Sequence, residues 1–160
     1  MTACEPHVVH QPRTSVIVPV YNKAPHLKAC FDCLECQTIS KSDLEVLLID
    51  DGSTDDSLAL CEAFAAERPW VRVIAQPNAG VSEARNAGIR AANGRYLFFL
   101  DPDDSLSPET LENVSMFFES CPDEIDLVTY PIVSIRDGKR QRLHHRYDVL
   151  RETGVYDLTL

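Results

Sequence analysis

Three carboxylates stand within four residues at Asp101-Pro102-Asp103-Asp104, directly behind the apolar run that begins at Tyr96. Left unpaired, such neighbours repel one another, and their pKa values rise. A hard divalent cation removes that cost, and carboxylate oxygens are the ligands that Mg2+ and Mn2+ take. Side chains alternate along an extended chain, so Asp101 and Asp103 are expected to face one ion together. Water and substrate phosphate would complete its shell. The competing reading is an acidic turn.

A second cluster, Asp50-Asp51-Gly52-Ser53-Thr54-Asp55-Asp56, follows another apolar run. A Gly/Ser/Thr loop leading into a helix often cradles phosphate. Here Asp55 and Asp56 are expected in the first helical turn, where they would repel an anion. A strand-end carboxylate suits a neutral donor instead, such as a nucleobase N–H or a ribose hydroxyl, and Asp51 is the candidate. Caps and turns account for Asp55 and Asp56. They account less well for two adjacent like charges at Asp50 and Asp51. A third cluster, Pro19-Val20-Tyr21-Asn22, ends the first apolar run with groups that can stack and hydrogen-bond. In the segment Asn78 to Asn86, Gly80 allows a tight turn, Ser82 can cap a helix, and Arg85 lies one turn in. There Arg85 can pair with Asp101, as a structural ion pair, or with a diphosphate.

The elements that must position these groups are legible from the apolar pattern. Runs at Ser15–Val20, Leu44–Asp50, Val71–Gln76, Tyr96–Asp101 and Ile125–Val133 are mostly continuous, as in strands covered on both faces. Helical patterns at Ala24–Cys36, Asp55–Glu67, Ser82–Ala92 and Pro108–Ser120 lie between them. Ser53 or Thr54 is expected to cap the second helix, and Ser107-Pro108-Glu109 to open the fourth. Asp137-Gly138 is a hairpin turn signal. Strand and helix alternate four times, which predicts an α/β fold: a mostly parallel sheet with helices on both faces. In such sheets ligands bind beyond the carboxyl ends of the strands. The three polar clusters therefore converge on one edge.

Composition narrows the function classes. The 160 residues, 44% apolar and 25% charged, suit one globular domain. A loose tail is expected over 1–13 and the folded domain over 14–160. The net charge of −10 argues against a nucleic-acid partner. The basic stretch Lys139 to Arg146 reads as a solvated hairpin, with contact to an anionic membrane or an acceptor as the alternative. No apolar run approaches the roughly 20 residues of a membrane span. The first residues lack a secretion pattern, so the expected compartment is the cytoplasm, including the inner face of the membrane. The six cysteines are then expected to be reduced thiols. Cys30, Cys33 and Cys36 form CxxCxxC, but Leu27, Cys30, Phe31 and Leu34 follow helical spacing. That places Cys30 on a buried face and spreads the thiols over a wide arc. The end of the chain at DLTL shows no closing element, and the sequence is expected to continue into a further half. Apolar surface uncovered without that half leaves self-association open.

Taken together, SVIVPVYN, LKACFDCLECQT, EVLLIDDGSTDDS, NAGVSEARNAGIRAANGRYLFFLDPDD and Leu106-Ser-Pro108 resemble the inverting, GT-A-type family 2 glycosyltransferases over about Ser15 to Val133. The resemblance implies a Rossmann-like GT-A fold and a nucleotide-sugar donor site, with a UDP-sugar as the default donor. It implies that Pro19, Val20, Tyr21 and Asn22 shape the base pocket and that Asp51 hydrogen-bonds the base. Asp101 and Asp103 stand at the DxD motif, with Asp103 the expected direct ligand of Mg2+ or Mn2+. Asp104 serves the sugar or the metal shell, and Gly80 and Arg85 lie beside the nucleotide. The acceptor would be a glycan, a lipid-linked group or a protein, as in cell-surface polysaccharide synthesis. The family's general base belongs to a half that follows, and no residue here stands in a recognisable base motif. Two rival readings are a non-catalytic nucleotide-sugar-fold binding module and an aspartate-based phosphoryl-transfer domain. The second places its acidic pair on the first strand, whereas here the acids follow the second and fourth.

Overall fold

The computed structural model describes residues 11–120 together with two strands further on, Val133–Arg136 and Lys139–Arg142. The first unit begins with β1 (Thr14–Val20), α1 (Ala24–Glu35), β2 (Leu44–Asp50) and α2 (Ser57–Ala65). It continues through β3 (Val71–Ala75), α3 (Val81–Ala91), β4 (Tyr96–Phe99) and α4 (Thr110–Ser120) as far as Phe117. The four strands form one parallel sheet in the order β3-β2-β1-β4. In β1 and β2 every residue is buried, as the largely apolar runs imply when both sheet faces are covered.

Alternation along the strands sorts the core into two layers. Val16, Val18 and Val20 with Val46 and Leu48 meet α1, α2 and α4 through Leu27, Phe31, Leu34, Phe64 and Leu111. Phe31 and Phe64 stack with ring centroids 4.1 Å apart. Ile17, Leu47 and Ile49 face the other way and meet Ala84 of α3. Each fully buried aliphatic side chain contributes about 1.5–3 kcal/mol relative to exposure. On the α3 side, Gly88 lies so close to the sheet that a Cβ there would fall 2.4 Å from Ile17 Cγ2.

Helix ends depart from the sequence expectation where side chains found other partners. α2 opens at Ser57, two residues late, because Asp55 turns back on the backbone. Its Oδ1 accepts from Ser57 N–H at 3.0 Å and its Oδ2 from Ala24 N–H at 3.2 Å. Neither Ser53 nor Thr54 caps it, since both are bound to Asn22. α3 begins at Val81 with Gly80, not Ser82, at its N-cap; Gly80 has φ 90°, a region that glycine enters without strain. α4 begins at Thr110, after a turn that closes Thr110 N–H onto Ser107 C=O. α1 is closed by Lys41, whose ammonium donates to the carbonyls of Leu34, Glu35 and Gln37, a cation at the negative end of the helix. The buried Gln37 ties α1 to α4, donating to Ser107 C=O and accepting from Leu111 N–H.

β5 (Val133–Arg136) and β6 (Lys139–Arg142) form an antiparallel pair with Arg136 opposite Lys139. That register leaves two residues between the strands, as the turn signal implied; residues 137 and 138, most of the expected strand from 125 to 133, and the basic stretch after 142 lie outside the described residues. Among the described residues no helix is long and apolar enough to cross a membrane. The thiols on and beside α1 divide as expected: Cys30 buried, Cys33 partly so, Cys36 exposed. Burial pushes the Cys30 thiol up to about 12.

Candidate donor site

The strand order changes direction at β1, where β2 and β3 extend to one side and β4 returns on the other. Such a switch point leaves a crevice beyond the strand ends. A cavity of about 480 Å³ lies there, walled by Pro19, Val20, Tyr21, Asp51, Gly80, Asp101 and Asp103, all expected from the sequence. Lys23, Asn78, Val81, Ala84 and Pro102 complete the wall. Tyr21 is half-exposed at it, so its ring is open to a flat partner.

Asp50 and Asp51 escape mutual repulsion because the strand sends them to opposite sides. Asp50 Oδ2 accepts from Ser53 N–H at 3.2 Å. Asp51 is 2% exposed, and its Oδ1 accepts from Gln76 Nε2 at 2.7 Å and Ala79 N–H at 2.9 Å, its Oδ2 from Gly80 N–H at 2.8 Å. Burial acts to raise its pKa, but these three donors outweigh burial and hold the carboxyl below the usual range. Asp51 thus fixes the chain between β3 and α3 as well as facing the cavity. Asn22 is placed differently from the expectation. It has φ 50°, a left-handed geometry that asparagine tolerates, and its Oδ1 accepts from Thr54 N–H at 2.8 Å. Its amide clasps the β1 and β2 loops together and is not part of the cavity wall.

The acidic motif is a turn, not an extended segment. β4 ends at Phe99, and Asp104 N–H closes onto Asp101 C=O at 2.9 Å around Pro102. Asp101 and Asp103 consequently engage different partners. Asp101 Oδ1 accepts from Arg85 at 2.8 Å and Asp103 Oδ2 from Lys23 Nζ at 2.7 Å. The Lys23 hydrogen bond holds the Asp103 carboxyl below its ordinary value, partly offset by desolvation. Asp104 is pushed up, first by desolvation and then by the charges of Asp101 and Asp103. Its raised value registers burial first and the crowding of negative charge in the turn second. Among the described residues no three ligating side chains converge as a ready-made metal cage. The donor set is nonetheless hard oxygen, and an octahedral ion that keeps water and phosphate needs only one or two carboxylates.

Lys23 is the residue that sequence reading passed over. The signal was its position: a cation at a helix N-terminus opposes the macrodipole, which implies an anionic partner elsewhere.

Known proteins with this pattern agree among themselves. The family model described as glycosyl transferase family 2 matches residues 15–158. The minor teichoic acid biosynthesis protein GgaB of Bacillus subtilis is 43% identical over 119 residues, 74% of this chain and 13% of that protein. S. aureus TarS residues 1–349, solved with UDP-GlcNAc, superposes with a TM-score of 0.64 at 31% identity, over 68% of this chain and 31% of that one. The mannosyltransferase PcManGT of Pyrobaculum calidifontis, solved with GDP-Man and Mn2+, gives 0.63 at 28% identity, over 69% of this chain and 33% of that one. The chain thus spans a third or less of the length of these relatives.

Proposed function

Because the chain belongs to glycosyl transferase family 2 and has its GT-A fold, we propose that it forms the donor side of an enzyme transferring a sugar from a nucleotide-sugar to an acceptor hydroxyl with inversion. The observation that carries this reading is the convergence of Tyr21, Asp51, Asp101 and Asp103 on one cavity at the switch point. The volume accommodates a nucleoside diphosphate. Tyr21 supplies a face for the base, and Asp51 Oδ2, with one protein donor, keeps capacity to accept from the base or ribose.

Asp103, with Asp101 beside it, would hold Mg2+ or Mn2+, which as a Lewis acid neutralises charge growing on the leaving diphosphate. Arg85 orients Asp101 and brings a second fixed positive charge to the same edge. Pro19 and Val20 would form the apolar side of the base pocket, and Asp104, in the same turn as Asp101 and Asp103, would meet the sugar or the ion's water shell. UDP is the preferred nucleotide, in line with the ligand of the TarS structure; the GDP-Man of PcManGT makes GDP the first alternative. The name of GgaB supports a cell-surface polymer as acceptor; the reaction is proposed on the cytoplasmic side of the membrane, as the sequence led us to expect.

Calorimetric titration of UDP, with Mn2+ and with chelator, tests the reading. The expected result is metal-dependent binding that weakens about tenfold or more in Asp103→Ala. If UDP, GDP and dTDP all fail to bind in either condition, the reading is wrong.

A further inference from the structure

Lys23 stands at the N-cap of α1, where the helix dipole disfavours a cation. Its backbone is fixed there. The N–H donates to the buried Ser57 Oγ at 2.9 Å, and the carbonyl accepts from the N–H groups of His26 and Leu27. From this root the side chain reaches Asp103, 80 residues along the chain, with Nζ 2.7 Å from Oδ2. Arg85 holds Asp101 from the α3 side. Both carboxylates expected to face a divalent ion therefore carry a cation from another element. The two pairs are similarly exposed, and the cations differ in kind: Arg85 has its Nε buried and a planar fork, whereas Lys23 ends in a compact ammonium on a flexible stem.

We propose that Lys23 is an exchangeable counter-ion that occupies Asp103 until a divalent cation replaces it, and that its release couples cation binding to nucleotide binding. The proposal rests on the donor-site reading and deepens it. An ion arriving at Asp103 displaces the ammonium, which still lines the cavity wall and meets the negative diphosphate there. A diphosphate arriving first draws Lys23 away and frees Asp103. Each ligand thus removes a competitor of the other, and by linkage the effect is reciprocal. A pair of this exposure is weak, so the competition is worth about threefold to fivefold in cation affinity.

Mn2+ titration followed by the electron paramagnetic resonance signal of the free ion, with and without UDP, reads the coupling directly. Wild-type chain is expected to bind Mn2+ more tightly with UDP present. Lys23→Met should bind Mn2+ alone about threefold to fivefold more tightly, with the UDP effect reduced by the same factor. Lys23→Arg should keep wild-type behaviour. Lys28→Met removes a charge paired with Asp32 on the exposed side of α1, and should change nothing. An unchanged Mn2+ affinity in Lys23→Met, or an equal gain in Lys28→Met, overturns the exchange while leaving the donor site intact. A wild-type chain that binds neither Mn2+ nor UDP removes the donor site and the exchange together.

Discussion

Burial and hydrogen bonding pull Asp51 in opposite directions, and the bonds prevail. Asp51→Asn keeps the shape but replaces one accepting oxygen with an N–H2 group, which then faces donors. Hydrogen bonds to a charged group are worth about 1.5–3 kcal/mol each, so the variant should lose about 2–4 kcal/mol of stability. It should also loosen the turn that carries Gly80. The pH dependence has a definite sign. A carboxyl held below its unfolded value of about 3.9 contributes fully above that value and loses its contribution as pH falls through the lower, folded value. Urea midpoints measured from neutral pH down through the carboxylate range should therefore fall steeply in wild type and less steeply in Asp51→Asn. Parallel curves would mean that Asp51 is not held ionised by its neighbours.

The position of Arg85 depends on how α3 is seated on the sheet. Two contacts seat it: Gly88 against Ile17, and the turn after the helix, where Asn93 donates twice to the buried Glu45. Gly88→Ala gains about 1 kcal/mol of helix propensity but forces a methyl into Ile17. Overpacking costs about 1–3 kcal/mol, so a net loss of about 1 kcal/mol is expected, with weaker nucleotide binding as Arg85 shifts. The same change in an Ile17→Ala background should be neutral or stabilising, which a double-mutant cycle by chemical denaturation measures. If the two changes add independently, the contact does not set the helix.

The sheet was readable because continuous apolar runs such as Val16–Val20 and Val46–Ile49 admit few other structures. The Asp51, Asp101 and Asp103 cluster was readable because strand ends on a parallel sheet converge. Glu45 was not, since its partners Ser15, Arg72 and Asn93 come from three distant parts of the chain. The start of α2 and the Lys23–Asp103 pair escaped for the same reason. Each is decided by a side chain choosing a partner on another element, and local periodicity carries no record of that choice.

Over the whole molecule, 25 acidic residues against 15 basic ones give a net charge of −10, so the long-range field does not recruit an anionic donor. Under the proposed function recruitment is local, through Lys23, Arg85 and the divalent ion proposed at the acidic turn. The same accounting bears on catalysis. Among the described residues, the carboxylates lining the cavity are Asp51, Asp101 and Asp103, and each is already engaged, by the chain around Gly80, by Arg85 and by Lys23. None of these three is left to take a proton from an acceptor hydroxyl, a task that needs a carboxylate or imidazole within hydrogen-bond reach of it; Asp104 and His26, beside the same acidic turn, are not part of the cavity wall. The prediction for the 160-residue chain by itself is that it binds UDP-sugar without consuming it. Incubation with UDP-GlcNAc and Mn2+, followed by an assay for released UDP, should show no turnover under conditions where calorimetry shows binding. Release of UDP at a catalytic rate, abolished by Asp103→Ala, would mean that the chain cleaves the donor on its own, passing the sugar to water, and that a group within it activates the nucleophile.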